Sequence, residues 1–502
     1  MFNQRGFSVL DWVVVVLYFV MMVLVGVYYA RKNKTVKDFV LGGKNMGSFS
    51  IGLSLFATML SSLSYLSYPG EMIRYGPIVF AGMFAFPFTH WVVGWYIIPK
   101  FMKEDVSSAY ELLEKKLGVS IRVMASVFFL SLRFLWMATI IFATVDMAIG
   151  AVIEITPLER FVFSIVLLIV TLVYSSIGGL KAVVMTDVFQ TILLWLGAIL
   201  TIVIVSVNVG SFTEWIPDQW LSHWSPLKWG FDASERLTIG NAMLMLFVWY
   251  VCTSGSDQMA IQRYLATRDL KAARRSFGIA LLSNLFVKIL LGLVGLALLA
   301  FFLKNPHLLG EGKDVLGQSD KLFPRFIAVG FPVGIAGLVF AGILAAAMSS
   351  LSGGLNSTAV VIMEDWLKKY RKKGKNPGKV DELKQIKILS AVVGLIVMLL
   401  SFVVGYIPGN LFDVIQKTAN LVVAPLFVLF FLALFVPFST ERGTFIAGAA
   451  SMLFAVAIAF WELLGIKSLW IMPASLIFGI VVGVIASYIE MILSGTHHIH
   501  DH

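Results

Sequence analysis

Apolar runs, each about as long as a bilayer is thick, recur along almost the whole chain, and no other feature constrains the fold as strongly. A spanning helix needs about 20 apolar residues, at a rise of about 1.5 Å each, to cross a hydrocarbon core of roughly 30 Å. Thirteen such runs fall at 8–30, 48–68, 77–101, 121–150, 158–177, 185–208, 239–262, 277–303, 329–361, 386–405, 409–436, 443–464 and 469–493. Lipid offers no partner to a backbone amide, so each run must close its own hydrogen bonds as a helix. The sequence therefore predicts an all-α polytopic membrane protein with about 13 transmembrane helices. Composition agrees, with 59% hydrophobic residues against 14% charged and a mean hydropathy of +0.88.

The first run exceeds a signal-peptide apolar region and ends at Arg31, Lys32 and Lys34, which marks it as a retained helix. The net charge of +10 raises the question of a nucleic-acid partner. The basic residues, however, sit in alternate loops: 31–44, around Lys115 and Lys116, at Lys181, at 263–275, and at 368–387 with nine Lys or Arg. That alternation is the positive-inside pattern, so the charge reports orientation in a lipid bilayer. Thirteen crossings with these loops inside place the N-terminus outside and the tail 494–502 in the cytoplasm. The lack of long glycosylated loops leans towards a bacterial inner membrane as the plasma membrane concerned.

The polar stretches reach only about 25 residues, too short for a soluble core, so residues 1–502 read as a single membrane transport domain. The lone Cys252 excludes an internal disulfide and a thiol cluster. His90 stands alone in a span, His223 and His307 fall in outer loops, and His497, His498, His500 and His502 form a terminal tail. An enzyme is therefore not expected. The segment 211–236 carries Trp215, Trp220, Trp224 and Trp229, amphipathic rings that suit a membrane interface.

Two stretches carry polar groups that lipid would not tolerate. Phe56–Tyr68 sets Thr58, Ser61, Ser62, Ser64 and Ser67 in an apolar run ending at Pro69 and Gly70, which predicts a discontinuous helix. Ala345–Thr358 combines small residues with Ser349, Ser350 and Ser352. Freed carbonyls at a helix break plus serine hydroxyls can replace the hydration shell of a hard monovalent cation. Either stretch alone is equally consistent with tight helix packing. Asp187 adds a carboxylate within a span, where ion coupling or an ion pair must compensate it.

The motifs DFVLGGKNMG at 38–47, LSLFATMLSS at 53–62, YPGEMIRYG at 68–76, SSAYELLEKKLG at 107–118, GGLKAVVMTDVFQ at 178–190, SDQMAIQRYLATRD at 256–269 and AAAMSSLSGGLNS at 345–357 follow one another in this order. In them the chain resembles the sodium/solute symporter family of sodium/glucose, iodide, multivitamin, monocarboxylate and sialic acid transporters. The resemblance implies an inverted 5+5 repeat core, like that of the amino-acid transporters, with one extra N-terminal and two extra C-terminal helices. The first helix would be 8–30, repeat 1 would be 48–208, repeat 2 would be 239–436, and the added helices 443–493.

It further implies a main sodium site of Ala57, Leu60, Ala346, Ser349 and Ser350, and a possible second site of Asp187, Ser349 and Ser352. The additional serine position of that second site is Gly353 here. Substrate contacts carried over by position are Thr58, Ser61, Ser64, Met83, Trp136, Ser254, Gln258 and Lys417. The sialic acid members carry an arginine where Trp136 stands, and the sugar members a glutamate near Met83 and a glutamine near Lys417. Lys417 can offer an ammonium to the cavity or pair with Asp413 one helical turn earlier, and Arg133 lies one turn from Trp136. The expected function is sodium-coupled symport of a small organic solute by alternating access, with Na+ as coupling ion. An anionic monocarboxylate or vitamin-like solute is the main reading and a sugar or sialic acid the alternative. Outside the class, a sodium-responsive membrane sensor is the rival. Oligomeric state is left open.

Overall fold

The computed structural model describes residues 7–30, 46–103, 108–310, 312–368 and 379–494. The predicted basic loop 31–44, residues 369–378 of the loop 368–387 and the tail past 494 lie outside the described residues. Twelve helices among those described are long and apolar enough to cross a membrane, and a thirteenth crossing is the pair Ser48–Met59 and Ser62–Tyr75, bent by 64° at its break. The predicted count of thirteen is thus matched. Among the described residues the sole pairing of extended backbone is an isolated bridge between Met46 and Thr267.

In chain order α1 spans Val9–Ala30, and α2 (Ser48–Met59) with α3 (Ser62–Tyr75) makes the broken crossing. Then come α4 (Pro77–Met102), the short α5 (Ala109–Leu117), α6 (Val119–Val152), α7 (Pro157–Ser175) and α8 (Gly178–Val209). Next are α9 (Ile239–Ser256), α10 (Gln258–Leu265), α11 (Leu270–Lys304), the short α12 (Leu322–Gly330) and α13 (Ile335–Leu367). Last come α14 (Lys379–Val404), α15 (Leu411–Lys417), α16 (Ala419–Phe435), α17 (Glu441–Trp461) and α18 (Ile471–Ser494).

Five crossings lie between the start of α2 and the start of α9, an odd number, so the second set of five enters from the opposite side. This is the inverted 5+5 arrangement, with α1 added before it and α17 and α18 after it. The first crossing of each set is interrupted near its middle. α2 stops at Leu60 and Ser61, both extended, and α9 stops at Asp257, also extended, whose side chain caps α10 by accepting from the Met259 amide at 2.9 Å. The run predicted over 239–262 is therefore two helices. The run predicted from 185 begins earlier, at Gly178.

Helix α13 is buried along nearly its whole length, because the small residues of Ala345–Gly354 let α2, α3 and α8 approach closely. Helices α1, α14, α17 and α18 instead leave large apolar side chains on the surface, Leu17, Leu395, Leu453 and Ile485 among them. In a bilayer these face lipid tails.

The tryptophans of the 211–236 segment divide in two. Trp229 is exposed, as an interfacial anchor would be, but Trp215 and Trp224 are buried in the protein. The Trp224 indole donates to the carbonyl of Ile73 at 3.3 Å, and the Ser225 amide donates to that of Tyr75 at 3.1 Å. The segment folds over the end of α3 because that helix end leaves carbonyls needing donors.

Candidate functional site

The break in α2 frees carbonyl oxygens at mid-membrane, and α13 presents two serines to them. The Ser349 hydroxyl lies 3.0 Å from Ala57 O and 3.1 Å from Ala346 O, while that of Ser350 lies 3.2 Å from Thr58 O and 3.3 Å from Leu60 O. All five residues of the predicted main sodium site therefore meet, with Thr58 O beside them. Every atom of the group is a neutral oxygen, which suits a hard monovalent cation, and both serines are fully buried. No group of three or more His, Cys, Asp or Glu among the described residues is placed to hold a metal ion.

The residues predicted for a second site do not share one focus. The Ser352 hydroxyl turns back to Ser349 O at 2.9 Å, and Ser349 serves the first group. Asp187 accepts through Oδ2 from Ser54 at 2.5 Å and Thr58 at 3.4 Å, and lies 3.5 Å from the Arg263 guanidinium. The predicted compensation of Asp187 is therefore an ion pair, supplied by α10.

Beside the break lies a cavity bounded by α2, α3, α6, α9, α11 and the α15–α16 crossing. Thr58, Ser61, Ser64 and Trp136 of the predicted substrate residues line it. Met83 packs against the hydrophobic core from α4. Ser254 is buried within α9, and Gln258 accepts from the Ala109 amide at 2.8 Å, holding α5 against α10. Lys417 is half-buried outside the cavity, since its neighbour Gln416 takes the inward position. Asp413 engages Arg236 at 3.7 Å and Ser468 at 3.2 Å. Neither predicted role of Lys417 thus has a contact here: the 100° step between successive helical residues puts Gln416 in the cavity wall, and Asp413 is engaged by Arg236 and Ser468.

Arg133, the charge noted one turn from Trp136, does line the cavity, but it forms an ion pair with Asp257 at the second helix break and stacks over the Trp136 ring at 4.5 Å, so its charge is already matched. Several other lining residues were not predicted. Lys288, on α11, is buried in the wall, donates to the Tyr68 hydroxyl, and stands 3.5 Å over the Tyr68 ring. No carboxylate among the described residues pairs with it. Asn284, Gln416 and Asn420 add amides, with Asn420 donating to Gln416 at 2.6 Å and accepting from Trp249 at 3.0 Å. Lysine in a long apolar run was the available signal for Lys288, yet only helix rotation tells whether it faces lipid, a neighbour or a cavity.

Two polar networks lie beyond the cavity lining. In one, Glu71 of α3 takes a two-pronged pair from Arg236, at 2.7 and 3.1 Å, and a bond from Asn410 at 2.7 Å. In the other, Asp365 of α13 binds Arg122, whose Nε lies at 2.7 Å, and Ser108 at 3.0 Å, while Tyr110 donates to Ser256 O at 3.2 Å. Each network joins elements of both repeats.

A profile of the Sodium:solute symporter family matches residues 39–450. The sodium/sialic acid symporter NanT of Aliivibrio fischeri is 29% identical over 458 residues, covering 90% of this chain and 88% of that protein. The sodium/glucose cotransporter of Vibrio parahaemolyticus is 28% identical over 486 residues, covering 92% of this chain and 87% of that one. Among solved structures, a substrate-bound outward-open Na+-coupled sialic acid symporter superposes with a TM-score of 0.84 at 25% identity, over 96% of this chain and 98% of its own. With the broken-helix oxygen cluster and the inverted repeat already in place, the chain belongs to the sodium:solute symporter family and couples the movement of a solute to Na+.

Proposed function

We propose that this symporter carries a carboxylate-bearing, polyhydroxylated solute of the acidic-sugar class, driven by sodium bound at Ala57, Leu60, Ala346, Ser349 and Ser350. The observation that carries the reading is Lys288, a buried ammonium on the cavity wall with a hydroxyl but no carboxylate beside it. A charge so placed is costly unless a ligand completes it. Ser61, Ser64, Ser67, Asn284 and Gln416 supply hydroxyl and amide partners, and Trp136, Trp249 and Tyr250 offer apolar faces for a sugar ring. A plain aliphatic monocarboxylate would leave those polar groups without partners. The likeness to sialic acid symporters leans the same way, so the solute favoured here is the sugar acid rather than the vitamin-like anion.

Sodium joins α2 to α13 and so fixes the geometry of the break beside Ser61, where the solute binds. Coupling follows because both ligands favour the same arrangement of the two repeats. The network of Glu71 and Arg236 closes the cavity towards the outside, and that of Asp365 and Arg122 towards the cytoplasm, in the orientation that the basic loops give. A bacterial inner membrane, with the N-terminus outside and the C-terminus in the cytoplasm, is part of this reading.

The test is thermal stability in detergent with and without sodium, against N-acetylneuraminate, lactate, biotin and glucose, for the native chain and Lys288→Gln. Ligand binding to the folded state raises stability by mass action. Sodium-dependent stabilisation by N-acetylneuraminate, with affinity lowered about tenfold or more in Lys288→Gln, is the expected outcome. Stabilisation by glucose that survives Lys288→Gln would sink the anion reading.

A further inference from the structure

Helix α4 contains one π-helical turn, Val93–Ile97, at which the Ile98 amide donates to Val93 O instead of to Gly94 O. A carbonyl released in this way inside a crossing needs a donor, because lipid has none to give. Arg274, in the second turn of α11, supplies it through Nε at 2.7 Å. The guanidinium also lies over the Trp95 ring, 4.9 Å from its centroid. His90 steadies that ring in turn, meeting it edge-on at 5.5 Å and stacking on Phe277 of α11 at 6.1 Å. Gly278 makes room for His90, since a Cβ there would lie 3.1 Å from the imidazole.

These contacts fix the guanidinium and leave most of its donors unused. Among the described residues neither Nη group of Arg274 has a partner, and no carboxylate comes within ion-pair distance of Arg274, Arg275 or Lys271. Asp269, the acid closest along the sequence, is engaged by Arg268 at 3.1 Å and by the Ala272 amide at 2.7 Å. Lys271 and Arg275 are exposed, as are Trp95 and Tyr96 of α4. A fork of N–H groups held in place, with aromatic rings beside it and two further cations next to it, matches the geometry and charge of a phosphodiester.

We propose that this seam of α4 and α11 binds the headgroup phosphate of an anionic phospholipid, with Arg274 as its two-pronged donor. The orientation read from the basic loops in the preceding section puts the seam at the inner leaflet, where basic sites between spanning helices collect anionic headgroups. Trp95 and Tyr96 suit the same depth, because amphipathic rings settle at headgroup level. Lys271 and Arg275 repel the cationic choline or ethanolamine of a zwitterionic lipid, which sets the preference for net negative charge. The bound lipid ties α4 of the first repeat to α11 of the second and stabilises the folded chain by mass action. Neither the serine oxygen cluster nor the solute cavity takes part.

Native mass spectrometry of the purified full chain, titrated in detergent with dioleoylphosphatidylglycerol or dioleoylphosphatidylcholine, tests the site. The forms compared are the native chain, Arg274→Gln, and Lys271→Gln combined with Arg275→Gln. The expected result is one phosphatidylglycerol bound about tenfold or more tighter than phosphatidylcholine, a preference lost in Arg274→Gln and weakened in the surface pair by up to about fivefold per charge. Equal affinity for the two lipids in the native chain, or a preference unchanged in Arg274→Gln, overturns the proposal. A dimer that excludes the lipid would give the seam to a second copy of the chain and overturn it as well. If Arg274→Gln fails to fold with Gly94 O unpaired, Arg274→Lys decides, because lysine keeps the charge and one donor but not the fork. A preference kept in full by lysine refutes the two-pronged contact, and a fall of about fivefold or more upholds it. Binding in detergent does not depend on which side of the membrane the seam faces, so the result stands apart from the orientation and from the solute.

Discussion

A serine hydroxyl brings one proton and two lone pairs on the shortest possible arm, which is why Ser349 and Ser350 can sit in the helix contact and still offer oxygen to a cation. Alanine fits the same space without the oxygen. Ser350→Ala should therefore leave the fold and the cavity in place while raising the sodium concentration for half-maximal solute uptake by tenfold or more, the effect of about 1.4 kcal/mol. Uptake into proteoliposomes across a sodium series measures it, and an unchanged sodium dependence would rule this hydroxyl out as a ligand. These serines were legible in the sequence because hydroxyls break an apolar run. Lys288 is not legible in this way, and of the two roles open to Lys417 the one at the cavity wall falls to Gln416, because one position along a helix turns a side chain by 100°.

Among elements, the broken crossings do the positioning, and α3 is held from outside by groups that no local pattern would reveal. Asp320, in the segment before α12, accepts from the Leu411 amide at 3.0 Å and so caps α15. The same carboxylate lies against α3 at Gly70, where a Cβ would come within 2.2 Å of Oδ1, so only glycine allows this approach. Burial pushes the Asp320 carboxyl up to about 6; the nearby Glu71 carboxylate adds to that, and the bond from Leu411 opposes it. An acid whose folded value is raised binds a proton on folding between its unfolded value and about 6. Its contribution to stability therefore falls as pH rises through that window and stays low above it.

Asp320→Asn keeps an acceptor for Leu411 and removes the titration. Relative to the native chain the variant should match at pH 4 and gain stability up to pH 7, on the order of 3 kcal/mol if the full shift is realised. Melting curves of both proteins across that range test it, and parallel curves would refute the assignment. The break at Ser61 was readable beforehand from Pro69, Gly70 and the serines. The break at Asp257 was not visible locally, because a single acid in SDQMAIQRY signals a cap only once Arg133 is known to pair with it.

For the molecule as a whole, the parity of thirteen crossings ties every loop to one side once any loop is assigned. Cys252 is the sole cysteine and is buried, so the native chain should be silent to a membrane-impermeant maleimide. Ser234→Cys, in the exposed segment before α9, should label in intact cells. Arg268→Cys, after α10 where the native side chain is 74% exposed, should label only after permeabilisation. The reverse pattern would invert the topology.

The sequence by itself determined the helical class, the thirteen crossings and the serines that meet the helix break, because bilayer thickness and the cost of unpaired polar groups act on every short stretch alone. Only the tertiary structure decided which charges meet. Arg263 reaches Asp187 across 76 positions and Arg236 reaches Glu71 across 165, while Lys288 is left facing the cavity. Such pairings depend on how each helix is rotated about its axis, and that rotation is fixed by packing among many helices at once, which no single run of residues encodes.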